Sequence, residues 1–190
     1  MKILESLQTR RTYYNINKNL PVNEQQVIDL VKEATALVPD SFDMKSARVV
    51  VALGEKHDLL WDTIYDVFEG KVPREKIDSF KSGYGTILYF YDKNVVAGMQ
   101  EQFAAYADNF PWWSAQAVGM LQISIWSGLR ELGVGASLQH YNPVIDEAVR
   151  KLFDLPDHWA LNAQMPFGGI AQEPDAKAAE NIDVRVKIVK

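Results

Sequence analysis

Between residues 114 and 132 the chain carries charge only at Arg130 and Glu131, and no other stretch restricts the fold so strongly. A helix that is apolar nearly all round needs cover on most sides, so it belongs at the centre of a domain or at a subunit interface. Ser114 reads as its N-cap. The covering elements are legible on either side. Asn23, with Gln26 three places on, is a capping-box signature. Val27, Leu30, Val31 and Ala34 then recur at helical spacing, and the helix stops near Pro39. Residues 48–53 and 86–91 are continuous runs rich in β-branched, aliphatic and aromatic side chains, the pattern of strands covered on both faces. Residues 134–139 and 159–166 read as further strands. Leu60, Ile64, Val67 and Phe68 mark an amphipathic helix ending at Gly70, residues 2–9 a short helix, and residues 95–109 a weakly amphipathic one. Asn142-Pro143 opens a helix running to about Phe153, with a cap and a first-turn proline. Near the end, Ile182, Val184, Val186 and Ile188 alternate with Asp183, Arg185 and Lys187, which predicts a half-buried strand. The pattern is one α/β domain over residues 1–190, built round a central sheet.

Several chemistries are excluded at once. With no cysteine there is no disulfide, thiolate metal site or cysteine nucleophile. His57, His140 and His158 lack ligand spacing and read as surface or structural residues; no metal is expected. No glycine-rich nucleotide loop follows a strand, and Gly83-Tyr84-Gly85 reads as a turn before the second strand. No nucleophile elbow occurs. A net charge of −5 disfavours nucleic acid. No apolar run approaches the roughly 20 residues of a membrane span, and the first residues are too charged for a signal-peptide core. The expected location is the cytoplasm.

Composition and spacing go no further than that. Six segments carry more: Arg10-Arg11-Thr12-Tyr13-Tyr14; Pro39-Asp40-Ser41-Phe42-Asp43-Met44-Lys45-Ser46-Ala47-Arg48; Gly83-Tyr84-Gly85-Thr86; Asn109-Phe110-Pro111-Trp112-Trp113-Ser114; Gly135-Ala136-Ser137-Leu138-Gln139-His140-Tyr141-Asn142-Pro143; and Ala163-Gln164-Met165-Pro166-Phe167-Gly168. In this order, across nearly the whole chain, they are similar to the nitroreductase family. The resemblance is to the compact branch that includes the fatty-acid-repression proteins of yeasts and small bacterial FMN nitroreductases.

The resemblance implies a three-layer α/β sandwich of α+β type with a mixed central sheet. It implies an intertwined homodimer with FMN at the subunit interface, the C-terminal strand crossing to the partner's sheet. It also implies a ping-pong NAD(P)H oxidoreductase that reduces nitroaromatics, quinones or similar electron-poor small molecules. The flavin then does the chemistry, and no side-chain nucleophile is expected. The family also admits a flavin-binding regulatory or stress-response protein with incidental reductase activity.

Arg10, Arg11 and Thr12 match the phosphate-binding motif, where guanidinium forks and a hydroxyl suit a dianion; the alternative is basic residues closing a helix. Ser41, Phe42, Asp43 and Lys45 match a loop that meets the flavin from the neighbouring subunit. Asp43 stands where relatives carry asparagine and Lys45 where they carry glutamine, so these two either contact the flavin or pair with each other. Ser137, Leu138 and Gln139 match the strand end beside the flavin ring, or are a plain strand-to-helix connection. Lys177 and Arg185 are candidates for a second phosphate contact, and Lys81 for the pyrimidine edge; solvated charges are the alternative. Phe103, Tyr106, Phe110, Trp112 and Trp113 lie where relatives wall the substrate pocket, and could equally be core.

Overall fold

A computed structural model describes residues 2–190. In chain order the elements are α1 (Lys2–Thr9), β1 (Ile16–Asn17), α2 (Glu24–Leu37), β2 (Ala47–Leu53), α3 (Glu55–Val67), α4 (Arg74–Lys81), β3 (Gly85–Asp92), α5 (Lys93–Gln102), α6 (Phe110–Glu131), β4 (Val134–Ala136), α7 (Asp146–Leu152) and β5 (Trp159–Ile170). The strands form one sheet in the order β1-β5-β3-β2, with β4 also pairing β5. All four strand pairings among the described residues are antiparallel.

The sheet is covered on both faces, which is why its strands are apolar without alternation. On one side α2 and α6 pack Val27, Val31, Val118, Leu121, Ile125 and Leu129 against Ile87 and Tyr89. On the other, α3, α4 and α7 bring Leu60, Trp61, Ile64, Ile77, Phe80 and Val149 against Leu88 and Phe90. Successive residues of β3 therefore serve opposite layers, as the period of two requires. A register shift between Tyr89 and Phe90 pairs them with Ala163 and Leu161, leaving Asn162 as the extra residue of a bulge in β5. Its Oδ1 accepts a 2.7 Å hydrogen bond from Gln122 of α6, which satisfies an otherwise buried amide.

The capping box at Asn23 forms: its Oδ1 accepts from the Gln26 N–H at 2.9 Å, and Gln26 Oε1 accepts from the Asn23 N–H at 3.2 Å. Elsewhere the structure corrects the sequence reading. The long helix begins at Phe110, with a proline in its first turn; Ser114 is fully buried, its hydroxyl 3.0 Å from that of Ser46. The expected helix over 95–109 is α5 followed by a separate 3₁₀ segment, Ala104–Asn109. The expected helix at Asn142-Pro143 starts only at Asp146. The strand over 134–139 ends at Ala136, beyond which Gln139 makes a single bridge to Gln164. Two elements were not anticipated. α4 has few apolar positions and buries only Ile77 and Phe80, and β1 is two residues long.

The largest correction is at the C-terminus. Residues 182–188 are no strand within this chain: Ile182–Val184 is a 3₁₀ turn, and Ile182, Val184, Val186 and Ile188 are all exposed. A strand needs a partner for its N–H and C=O groups, and among the described residues no segment pairs with this one as a strand.

Candidate functional site

The phosphate-motif residues follow the last turn of α1, where the Arg10 N–H still donates to the Ser6 carbonyl at 2.9 Å. Arg10 then lays its guanidinium on the Trp126 indole, 4.1 Å from the ring centroid. Its Nε is buried with no hydrogen-bond partner, and among the described residues no carboxylate pairs with it. Burial and the neighbouring Arg11 lower its pKa, though a guanidinium stays charged. Nearby cations are differently placed. Arg11 donates to the Asp175 carbonyl. Arg130 reaches Glu173 at 3.8 Å and donates to the Thr9 carbonyl at 3.4 Å. Tyr13 donates through its hydroxyl to Glu173 at 2.9 Å. Thr12 lines a cleft of about 220 Å³ with Tyr13, Tyr14 and residues 172–175. Arg10 is thus a partly buried cation with one flank on an indole and its Nε unsatisfied, the condition that favours an incoming anion.

The Ala136 carbonyl ties this segment to β4. It accepts the Tyr13 N–H at 3.0 Å and the Trp126 indole N–H at 3.1 Å. Ser137, Leu138 and Gln139 follow directly, held by Ser137 N–H to the Pro166 carbonyl at 3.2 Å and Gln139 N–H to the Gln164 carbonyl at 2.7 Å. The Gln139 amide also donates to the Ser137 hydroxyl at 3.0 Å. Residues 10–12 and 137–139 are therefore brought together.

The loop of residues 41–45 forms a second group. Phe42, Asp43 and Lys45 have φ of 57°, 50° and 53°, a left-handed conformation that costs non-glycine residues of order 1 kcal/mol or more each. Asp40 anchors the loop, its Oδ2 accepting both the N–H and the hydroxyl of Ser46 at 3.0 Å. Phe42 packs among Phe103, Tyr106, Phe110 and Trp113, with ring centroids 4.8–6.0 Å away and Trp113 stacked. Phe110 is core, whereas Phe42 and Tyr106 stay about half exposed, and Trp112 points outward. Asp43 and Lys45 pair with each other at 3.0 Å, both largely exposed. Beside them lies a cavity of about 280 Å³ lined by Thr35, Pro39, Asp40, Arg48, Ala117 and Leu121 among others.

These two groups sit at opposite ends of α6, since Trp113 to Trp126 spans about 20 Å of helix. Lys81 joins neither; it pairs with Asp62 of α3 at 2.6 Å. Lys177 and Arg185 lie on the exposed C-terminal segment, where Arg185 pairs with Glu180 at 2.5 Å. Sequence reasoning overlooked Trp126, which supports Arg10, and Arg130, which grips Thr9. A signal for Arg130 was present, because it is one of two charges in an otherwise uncharged helix. It overlooked as well the Asp40–Ser46–Ser114 network beneath the strained loop.

Comparison with known proteins identifies the family. The family model described as the nitroreductase family matches residues 7–169. Nitroreductase CinD from Lactococcus lactis, solved in complex with chloramphenicol, superimposes with a TM-score of 0.94 at 41% identity, covering 99% of this chain and 100% of that one. The same protein solved with 4-nitrophenol gives 0.90 at the same identity and coverage. Nitroreductase FRM2 of Saccharomyces cerevisiae is 30% identical over 188 residues, 96% of this chain and 95% of the yeast protein. The chain belongs to the nitroreductase family and is a nitroreductase-type oxidoreductase.

Proposed function

We propose that this chain is an FMN-dependent NAD(P)H oxidoreductase acting as a homodimer on nitroaromatics, quinones or similar electron-poor small molecules. The observation that carries the reading is Arg10, a partly buried guanidinium stacked on Trp126 whose Nε has no partner. The residues present fit a flat cofactor ending in a phosphate dianion. Arg10, Arg11 and Thr12 would hold the phosphate by charge-assisted bonds. Ser137, Leu138 and Gln139, tethered to β5, would border the ring. Bound FMN would accept a hydride from NAD(P)H and pass electrons to the second substrate.

The protein's part is binding, orientation and exclusion of water. Phe103, Tyr106 and Trp113 would offer faces for stacking to a flat acceptor, whereas Phe110, expected in that wall, is buried in the core. CinD has been solved with chloramphenicol and with 4-nitrophenol, both nitroarenes, and with nicotinic acid, which supports acceptors and a nicotinamide donor of that shape.

A homodimer is supported by what one chain leaves uncovered. α1 exposes Ile3 and Leu4, α6 exposes Trp112, Met120 and Ile123, and the C-terminal segment exposes Val184, Val186 and Ile188. The separation of the two residue groups along α6 favours a site completed by the partner's loop of residues 41–45. Lys177 and Arg185 stay candidates for a second phosphate contact, the C-terminal segment meeting the phosphate motif where Arg11 donates to the Asp175 carbonyl. No helix among the described residues is long and apolar enough to cross a membrane; the cytoplasm is the proposed location.

An absorbance spectrum tests the reading, since bound flavin gives a band near 450 nm, followed by anaerobic titration with NADH and NADPH and reoxidation by 4-nitrophenol or a quinone. Colourless protein that takes up no added FMN would refute it.

A further inference from the structure

We infer that Trp126 is a positioning residue that couples the two ends of the FMN site, and this rests on the FMN reading above. Two independent contacts meet on its side chain. The ring face carries the Arg10 guanidinium at 4.1 Å. The ring N–H donates to the Ala136 carbonyl at 3.1 Å, immediately before Ser137-Leu138-Gln139. The same carbonyl accepts the Tyr13 N–H, so the segment carrying Arg10 and the segment bordering the ring share one acceptor. One turn further along α6, Arg130 donates to the Thr9 carbonyl and fixes the start of that segment. Trp126 itself lies only partly exposed on α6.

The physical division of labour follows from the two contacts. An arginine side chain loses considerable rotamer freedom when it is held in one pose. The indole face holds Arg10 by cation–π attraction and packing, so its guanidinium is oriented before the anion arrives. Among the described residues no carboxylate pairs with it, so the phosphate would meet a preorganised donor rather than a mobile one. The indole N–H does a different task, keeping the 136–139 backbone in register with β5 and with α6. A phenyl ring preserves the first function and abolishes the second; an aliphatic side chain abolishes both.

Comparing FMN with riboflavin separates the two functions, because the ligands differ only in the phosphate. Apoprotein of the wild type, Trp126→Phe, Trp126→Leu and Arg10→Ala is titrated with each flavin, following quenching of flavin fluorescence. Trp126→Phe is expected to bind both flavins more weakly by a similar factor, keeping the preference for FMN within about twofold, since a phenyl face still supports the guanidinium. Trp126→Leu is expected to cut that preference by about tenfold, approaching Arg10→Ala. A purely structural role for Trp126 would weaken both flavins alike in both variants.

The inference is overturned if Trp126→Leu keeps the wild-type preference. It is overturned equally if Trp126→Phe loses the preference as fully as Arg10→Ala, an outcome readable even where the leucine variant fails to fold. Wild-type apoprotein that binds neither flavin would overturn the FMN reading itself, and this inference with it.

Discussion

The imidazole of His57 is wholly buried in the layer formed by α3 and α4, with Nδ1 2.9 Å from Thr86 Oγ1 and Nε2 3.2 Å from the Lys81 carbonyl. Trp61 donates its indole N–H to the same Thr86 oxygen at 2.9 Å. The Thr86 hydroxyl can then donate its hydrogen bond to Nδ1, which leaves the Nε2–H to donate to the Lys81 carbonyl. Every group is satisfied only while the ring is neutral, and burial lowers its pKa from 6.5 to about 4. In the unfolded chain the ring protonates near 6.5, whereas in the folded protein it resists until about 4. The associated stability is therefore complete above pH 6.5 and is lost as pH falls toward 4, because the unfolded state binds the proton first. That gap, at about 1.4 kcal/mol per pH unit, amounts to about 3 kcal/mol in all, most of it gone by about pH 4.5. Urea unfolding of wild type and His57→Gln, followed by tryptophan fluorescence at fixed protein concentration between pH 7.5 and 4.5, isolates the contribution. Carboxylates titrate in both proteins and cancel in the difference. The stability advantage of wild type over the variant should shrink by about 2.5 kcal/mol across that range. A difference independent of pH, or one that grows on acidification, would refute the reasoning.

Other perturbations bear on the site and its frame. Arg10→Ala should lower FMN affinity ten- to a hundredfold, from about 1.5–3 kcal/mol of charge-assisted bonding, while circular dichroism shows a folded protein; affinity unchanged within about twofold would remove Arg10 from the site. Lys45→Gly should raise unfolding stability by about 1 kcal/mol by relieving left-handed strain at φ 53°, yet weaken FMN retention, as urea melts and flavin release would measure. Gly83→Ala should destabilise by about 1–3 kcal/mol, because an added Cβ would lie 2.7 Å from the Phe167 carbonyl, which already accepts the Tyr84 N–H. The full chain should sediment as a dimer, and a chain ending at Glu180 should shift toward monomer; a stable monomer retaining stoichiometric FMN would defeat the shared-site reading.

The amino-acid order alone determined whatever is decided by near neighbours. The Asn23–Gln26 capping box is local, so it could be read and it forms. Residues 48–53 and 86–91 announce strands covered on both faces because no charged residue interrupts the run after Arg48 or Thr86, and β2 and β3 are those strands. The long uncharged helix was equally legible in its middle. Its start was not: Ser114 looks like a cap, but its hydroxyl is engaged with Ser46, 68 residues away. The family motifs named Arg10 and Ser137, and nothing in their spacing says that Arg10 and the Ala136 carbonyl beside Ser137 both meet Trp126, since those contacts exist only once α6 lies against β4 and the end of α1. Likewise Asp43 and Lys45 could be read either as ligands or as a pair, and the left-handed loop brings their charges to 3.0 Å. The alternating segment near the C-terminus is the clearest division. Alternation encodes a preference for a half-buried strand, but a strand exists only where an edge accepts its backbone hydrogen bonds, and among the described residues of a single chain those residues stay exposed and join no ladder.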